Sequence, residues 1–402
     1  MKIPRTARGM LHGTARLLRE PRLGVFCLFV FLLPFYVFSS GLPQPGDMLV
    51  IPLALLALRA WDGRLDRSAR RPLSTLFAFT AWVIVVDWAW ALIEGNFGLF
   101  GPDTFLLFPI YYVYNTIVFL IVCVLYRRHG QAFLRLTLSA VFATVLVQAA
   151  ASLLLHREHA FRGAGFFNNP NQLGFFALVC ASVLALGKHG LGFGSIKTAI
   201  GLTTCSYLAL VSASRAAVIG TGILFALTVI ANPRRIVVVG LVVAGLAALG
   251  GPLSNALDET QQRFTANRYP QFSFLEERGY DRIFANKQYW LLGAGEGGTG
   301  RFVDTTLIGA TEIHSSLGTI FFCYGVVGIG LFLAFLYRIV EGAPLRSMVM
   351  LIPALSYTVA HQGLRSTSVW ILFGVFVCIK HSQRQAAGQA GARAAAPRMA
   401  PA

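Results

Sequence analysis

Apolar runs separated by short polar turns fill most of this chain, and a membrane-crossing helix needs about 20 such residues, fewer where it is short. By that rule the pattern predicts about twelve spans, over residues 23–39, 48–61, 73–93, 104–126, 131–155, 173–187, 198–212, 216–231, 236–253, 317–337, 347–362 and 368–380. One long hydrophilic insertion, 254–313, interrupts the series. Within it Ser273-Phe274-Leu275-Glu276 has the form of a capping box, so a helix is predicted to start there. Arg278 and Arg282, four apart, would share one face of that helix. Tyr280, Ile283 and Phe284 would share another, with Gly279 as its weak point. The expected architecture is an all-α integral membrane protein: a first set of membrane helices over 1–253, a partly helical loop domain over 254–313, and the last helices over 314–380. An Ala/Gly/Arg/Gln-rich tail, 381–402, is expected to be disordered.

Composition agrees with a membrane protein. Of 402 residues 55% are hydrophobic and 13% charged, too apolar for an ordinary soluble chain. The formal net charge of +17 does not signify a nucleic-acid partner, because most of the arginines flank apolar spans. All six cysteines (Cys27, Cys123, Cys180, Cys205, Cys323 and Cys378) fall inside apolar runs without CxxC pairs, so they read as small core residues. The N-terminus is basic and then apolar, with no small-residue cleavage site after Ser39 or Ser40, and the first span is expected to be retained.

The placement of basic residues orients the spans. Lys2, Arg5, Arg8, Arg16, Arg19 and Arg22 precede the first. Alternate turns carry Arg64 to Arg71, Arg127-Arg128, Lys188 and Lys197, Arg234-Arg235, and Arg338 and Arg346. By the positive-inside rule those turns and both termini are cytoplasmic, which puts the insertion on the outer face. Arg157, Arg162, Arg215 and Arg365 are then exceptions. The insertion itself holds six basic residues against eight acidic ones, so any anion site there must come from particular arginines. Asp87 lies near the outer end of its span with Trp88 and Trp90, which read as an interfacial belt.

Several short patterns carry candidate chemistry. Thr311-Glu312-Ile313-His314-Ser315-Ser316-Leu317-Gly318 is the seam where the polar insertion meets a span, so His314 can reach both a soluble hydroxyl and a lipid-held headgroup. Arg215 is pinned between Leu210-Val211-Ser212-Ala213-Ser214 and Ala216-Ala217-Val218, and either neutralises lipid phosphate or binds a substrate phosphate. His361 and Arg365, four apart at the outer end of a span, either line the same cavity or anchor the interface. Asn171, in Phe166-Phe167-Asn168-Asn169-Pro170-Asn171-Gln172, is a candidate helix cap. Gly293-Ala294-Gly295-Glu296-Gly297-Gly298 fits G-x-G-x-x-G, but no βαβ unit surrounds it, so it reads as a flexible turn rather than a dinucleotide site. His156-Arg157-Glu158-His159 lacks an evident third ligand, and no metal site is predicted.

Taken in order, Phe167-Asn168-Asn169-Pro170-Asn171-Gln172-Leu173-Gly174, Ser212-Ala213-Ser214-Arg215-Ala216, Arg278-Gly279-Tyr280-Asp281-Arg282-Ile283, Gly293-Ala294-Gly295-Glu296-Gly297 and His314-Ser315, followed after nine residues by Gly325-Val326-Val327-Gly328, resemble the O-antigen ligase and polymerase superfamily. The final element is most similar to that of the O-antigen ligases. The resemblance runs from about Gly165 to Trp370. It implies a GT-C-like bundle in a bacterial inner membrane with a periplasmic loop. The implied activity is metal-independent, cofactor-free transfer of a polysaccharide from undecaprenyl diphosphate to a sugar of lipid A-core, in lipopolysaccharide biosynthesis. In that family a histidine at the position of His314, an arginine at that of Arg215 and a loop arginine, here Arg278 or Arg282, are essential. Asn171 and Glu296 are candidates for sugar contacts.

The chemistry of such a transfer suits these residue types. A sugar leaving from diphosphate has a good leaving group and needs charge stabilisation on phosphate, which arginines supply. The acceptor hydroxyl needs a base or an oriented acceptor, and histidine is the residue type for that near neutral pH. No general acid is needed, so the lack of a glycosidase-like carboxylate pair is no objection. In-line attack would invert the anomeric centre. An O-antigen polymerase or a protein O-oligosaccharyltransferase would use the same donor. A transporter is the rival from another class, and it predicts polar residues near the midplane of several spans, whereas here they collect at the outer face.

Overall fold

The computed structural model describes residues 20–39, 42–99, 104–154, 162–230, 233–248, 252–265, 272–305 and 312–395. Every regular element among them is helical. The membrane-type helices are α1 (Pro21–Leu32), α2 (Val50–Ala60), α3 (Arg67–Glu94), α4 (Leu107–His129), α5 (Gln131–Leu154), α6 (Pro170–Leu191), α7 (Ser195–Val211), α8 (Arg215–Phe225) and α9 (Pro233–Ala248). The insertion supplies α10 (Pro252–Thr265), α11 (Phe274–Glu277) and α12 (Asp281–Ala285). The chain ends with α13 (Ser316–Val340), α14 (Leu345–Val349), α15 (Ile352–Ala360) and α16 (Thr367–Ala395). Five described helices, α3, α4, α5, α6 and α13, are long and apolar enough to cross a membrane, and shorter apolar stretches over Pro21–Leu32, Ser195–Val211, Arg215–Ile230 and Leu345–Ala360 accompany them. Among the described residues the protein is all-helical, and its long apolar helices make it a membrane-embedded molecule.

Each predicted apolar stretch overlaps a described helix, though several are too short to cross a membrane as single helices, and prolines and a π-turn alter others. α1 stops at Leu32, just ahead of Pro34, which has no N–H to continue the ladder. The stretch 347–362 is split into α14 and α15, because Pro353 in the first turn of α15 cannot bond back to the preceding turn. α8 widens into a π-turn at Ala226–Ile230, where the Arg235 guanidinium donates to the Thr228 carbonyl. The tail from His381 departs from expectation. α16 runs on to Ala395, with Gln131 Nε2 donating to Ser382 Oγ at 2.9 Å and Arg384 Nη2 to the Gly342 carbonyl at 2.9 Å, so residues 381–395 are helix rather than disordered chain.

α6 is the interior pole of the bundle, packed by α5, α7, α8, α15 and α16. Its apolar window is 83% buried, against 39% for α3, whose Phe77, Val85, Leu92 and Ile93 remain exposed as suits a lipid-facing helix. Aromatic rings lock α13 to α4 and α16: Phe335 meets Phe119 edge-on and stacks on Trp370 at 5.9 Å. The helices alternate in direction and give the molecule two ends. One joins the start of α3 to the end of α13, through Arg71 and Glu341, and the end of α4 to α16, through Tyr126 and His381. The other gathers the insertion and the seam at His314.

α13 is broken at Gly325, whose φ of 68° and ψ of −168° lie outside the helical region. The break strands backbone groups of α13, which would be costly in an apolar setting, and the glycine-rich segment of the insertion satisfies them. Ala294 N–H donates to the Phe322 carbonyl at 3.0 Å, Gly295 N–H to the Cys323 carbonyl at 2.9 Å, and Val326 N–H to the Trp290 carbonyl at 2.7 Å. Trp82 Nε1 caps the Tyr324 carbonyl at 2.8 Å. The contact is backbone on backbone: a Cβ at Gly325 would overlap the Leu291 carbonyl, and one at Gly293 (φ 96°) the Cys323 carbonyl. Residues 293–298 are buried, so the expected flexible turn is instead a fixed strap.

Candidate functional site

Two side-chain clusters occupy the loop end. The first forms around His361, in the connector past α15. Its ring stacks on Tyr357, centroids 4.4 Å apart, and Tyr357 stacks in turn on Phe175 at 4.5 Å. The His361 carbonyl accepts the Ser316 N–H at 3.1 Å and the Ser316 hydroxyl at 3.2 Å, tying the connector to the seam. The seam is held from its other side as well. His314 N–H donates to the Arg278 carbonyl at 2.9 Å, and Tyr280 Oη donates to Ser315 Oγ at 2.7 Å and approaches the Val359 carbonyl at 2.8 Å. Ser315 caps α13 by accepting Gly318 N–H at 3.0 Å, which leaves His314 exposed just outside the helix.

Burial first, and then the positive fields of Arg278, His314, Arg162 and Arg263, push the His361 imidazole from an ordinary 6.5 down to about 3. Arg162 is itself held below the usual arginine value by burial and by Arg263. Its Nε donates to the Ser212 carbonyl at 2.8 Å and its Nη2 to Asn171 Oδ1 at 2.7 Å. The Asn171 carbonyl accepts Tyr357 Oη at 3.0 Å. The cap of α6 is Asn169, whose Oδ1 accepts Asn171 N–H at 2.8 Å. Asn171, expected as cap or sugar contact, thus positions Arg162 and Tyr357. Arg215 is exposed as the first residue of α8, next to a turn in which Ala213 takes a φ of 45°.

Arg278 and Arg282 do not share a face. The predicted capping box is present, with Ser273 N–H donating to Glu276 Oε2 at 2.7 Å, but α11 ends after one turn. Gly279, at φ 72°, turns the chain between the two arginines. Arg278 is half-buried over Phe274, belongs to the His361 cluster, and its buried Nε has no hydrogen-bond partner. Arg282 is buried against Phe302, where burial lowers its pKa.

The second cluster hangs on Glu296. The carboxylate is buried in the strap, with Oε1 accepting Arg365 Nη2 at 2.9 Å and Oε2 accepting Tyr324 Oη at 3.0 Å and Tyr112 Oη at 3.4 Å. Asp87, fully buried, accepts Glu296 N–H at 2.7 Å and approaches Tyr324 Oη at 3.1 Å. Trp90, expected in an interfacial belt, instead donates to the Gly293 carbonyl at 3.1 Å and lies under Arg301. Arg365 also reaches Glu312 at 3.0 Å. Burial opposes the charge of Arg365, but Glu296 and Glu312 hold it above the ordinary arginine value. Glu296 therefore sets the position of Arg365 rather than standing free for a sugar.

The structure brings His314, His361 and Arg278 together and adds Arg162, Arg263, Tyr280 and Tyr357, which sequence reasoning left out of the site. Arg162 was visible as an exception to the positive-inside pattern. Tyr280 was read only as a helix-face residue within the Arg278-to-Ile283 series, and Arg263 and Tyr357 had no signal beyond their type. His156 and His159 lie outside the described residues. Compared with known proteins, the sequence matches no protein-family model and no curated protein.

Proposed function

We propose that this protein is a membrane glycosyltransferase that moves a glycan from undecaprenyl diphosphate to a sugar hydroxyl of lipid A-core, on the outer face of a bacterial inner membrane. The observation that carries this reading is that a hydrogen bond joins His314 to Arg278, while Asn171 and Tyr357 link Arg162 to His361, at the seam between the insertion and a long apolar helix. A diphosphate held by a lipid meets those requirements: its charge needs several cations and its chain needs an apolar wall. Arg278, half-buried and bonded through its carbonyl to the His314 N–H, is the better loop partner for phosphate than Arg282, which is enclosed against Phe302. Arg215 completes the clamp from the start of α8.

In the proposed reaction the acceptor oxygen attacks the anomeric carbon in line, the bond from that carbon to phosphate oxygen breaks, and undecaprenyl diphosphate leaves with the electron pair. His314 orients the acceptor hydroxyl and takes its proton, and the arginines stabilise the charge that grows on phosphate. The seam is over-determined by its backbone N–H groups donating to the carbonyls of Arg278 and His361, which favours a fixed position for His314. The test is transfer in reconstituted vesicles with a labelled undecaprenyl-diphosphate glycan and three acceptors: lipid A-core, a second donor molecule and a protein. Modification of lipid A-core alone supports this reading. Chain extension of the donor would make the protein a polymerase, and no product with any acceptor would refute transfer.

A further inference from the structure

The opposite end of the molecule holds a second anion-binding arrangement. Arg67, Ser68, Arg71 and Pro72 at the start of α3, Arg338 and Glu341 at the end of α13, and Lys380 and Arg384 on α16 line a cavity of about 360 Å³. Five cations face one carboxylate. Glu341 is shared by Arg338 at 3.1 Å and Arg71 at 3.7 Å, so it cannot neutralise the rest. Lys380 Nζ is spent on the carbonyls of Ile339 at 2.5 Å and Glu341 at 3.3 Å, and Arg384 on those of Glu341 and Gly342, partners that satisfy hydrogen bonds without cancelling charge. α3 and α13, begun and ended at this cavity, continue into exposed apolar surface at Phe77, Leu333 and Tyr337, and the Arg338 guanidinium lies over the Tyr337 ring at 5.6 Å. A cationic cavity beside an apolar wall suits a phosphate that carries hydrocarbon chains.

We propose that this cavity binds the phosphate of an anionic membrane lipid, about 37 Å along α13 from His314. The site is independent of the transfer reaction. A distribution of basic residues that merely orients the protein in the bilayer would be diffuse, whereas this one depends on a few side chains around one carboxylate.

The experiment is native mass spectrometry of the purified full-length protein titrated with phosphatidylglycerol, with phosphatidylcholine as the uncharged comparison. Wild type should retain phosphatidylglycerol selectively. Arg67→Ala with Arg71→Ala should weaken retention about twenty-five-fold, at about fivefold for each arginine. Arg59→Ala with Arg64→Ala removes equal charge from exposed positions outside the cavity and should leave retention within about twofold. Glu341→Gln removes the one carboxylate and should strengthen retention, a result that holds the test open if the double variant fails to fold. An equal loss in both double variants, or retention unmoved by Glu341→Gln, would overturn the proposal. Displacement of the lipid by excess inorganic phosphate alone would also overturn it, assigning the cavity to a soluble anion.

Discussion

The amide of His314 donates to the carbonyl of Arg278 at 2.9 Å, so the seam histidine and a loop arginine belong to one hydrogen-bonded turn although 36 residues separate them. The side chains of both then act on His361. This relationship separates Arg278 from Arg282, which the sequence could not do. If Arg278 grips diphosphate, Arg278→Ala should weaken donor binding by roughly 30-fold or more, equivalent to about 2–5 kcal/mol for a truncated charge-assisted contact. Arg278→Lys keeps the charge, loses the planar fork and should fall between. Arg282→Ala should instead lower the melting temperature in detergent while sparing donor affinity at temperatures where it stays folded. The reverse pattern in a donor titration would move the clamp to Arg282.

His361 gives a pH signature. Its folded value of about 3 lies below the ordinary 6.5, so between those two pH values the unfolded chain binds a proton that the folded chain refuses. Its contribution therefore weakens the fold as pH drops through that window and vanishes above it. The melting temperature of wild type should fall more steeply from about pH 7.5 to about pH 5 than that of His361→Gln. Parallel slopes would show that the imidazole is not held neutral.

The break in α13 requires glycine at two facing positions. Gly325→Ala and Gly293→Ala each force a side chain into a positive-φ backbone and against a carbonyl, and should each cost at least about 1–3 kcal/mol. Gly330→Ala, on the same helix with open space around it, should leave stability unchanged. Thermal melts of the three variants decide the matter, and a Gly325→Ala protein as stable as Gly330→Ala would mean that the strap does not hold the break.

Glu296 is expected to act through Arg365. Glu296→Gln removes the charge that pairs with Arg365 inside the strap and should destabilise the fold by about 1–3 kcal/mol. Arg365 keeps Glu312 as partner, so the loss should stop short of unfolding. Melting of Glu296→Gln beside Glu312→Gln checks this, because the exposed pair should matter less. Equal losses would contradict the assignment.

The helices were legible because apolar runs and basic turns are local signals, and the capping box at Ser273 was found for the same reason. What lay beyond reach was set by contacts distant in sequence. Gly279 and Gly293 read as loose joints, yet one separates two arginines and the other presses its backbone on α13, a role that only Cys323 reveals. Asn171 looked like a helix cap, but Arg162 and Tyr357 take its side chain and carbonyl. Asp87 looked interfacial because its partners, Tyr324 and the Glu296 amide, lie more than 200 residues away. The tail from His381 was misread because its Ala, Gly and Gln content hid a helix whose first turns are bonded to α5 and the end of α13.

The orientation expected from the basic turns is open to labelling. Thr299, on the strap side of the insertion, is half-buried and should be reachable as Thr299→Cys by a membrane-impermeant thiol reagent from the outer face of an intact membrane. Labelling that requires permeabilisation would invert the topology and remove the proposed donor from reach.

The most direct measurement compares wild type with His314→Ala in vesicles carrying labelled undecaprenyl-diphosphate glycan and lipid A-core, with donor binding and glycan transfer read on the same preparation. The account predicts wild-type donor affinity in the variant and a transfer rate reduced at least about 100-fold, the scale of a lost general base. A folded His314→Ala protein that transfers glycan at a wild-type rate would contradict it.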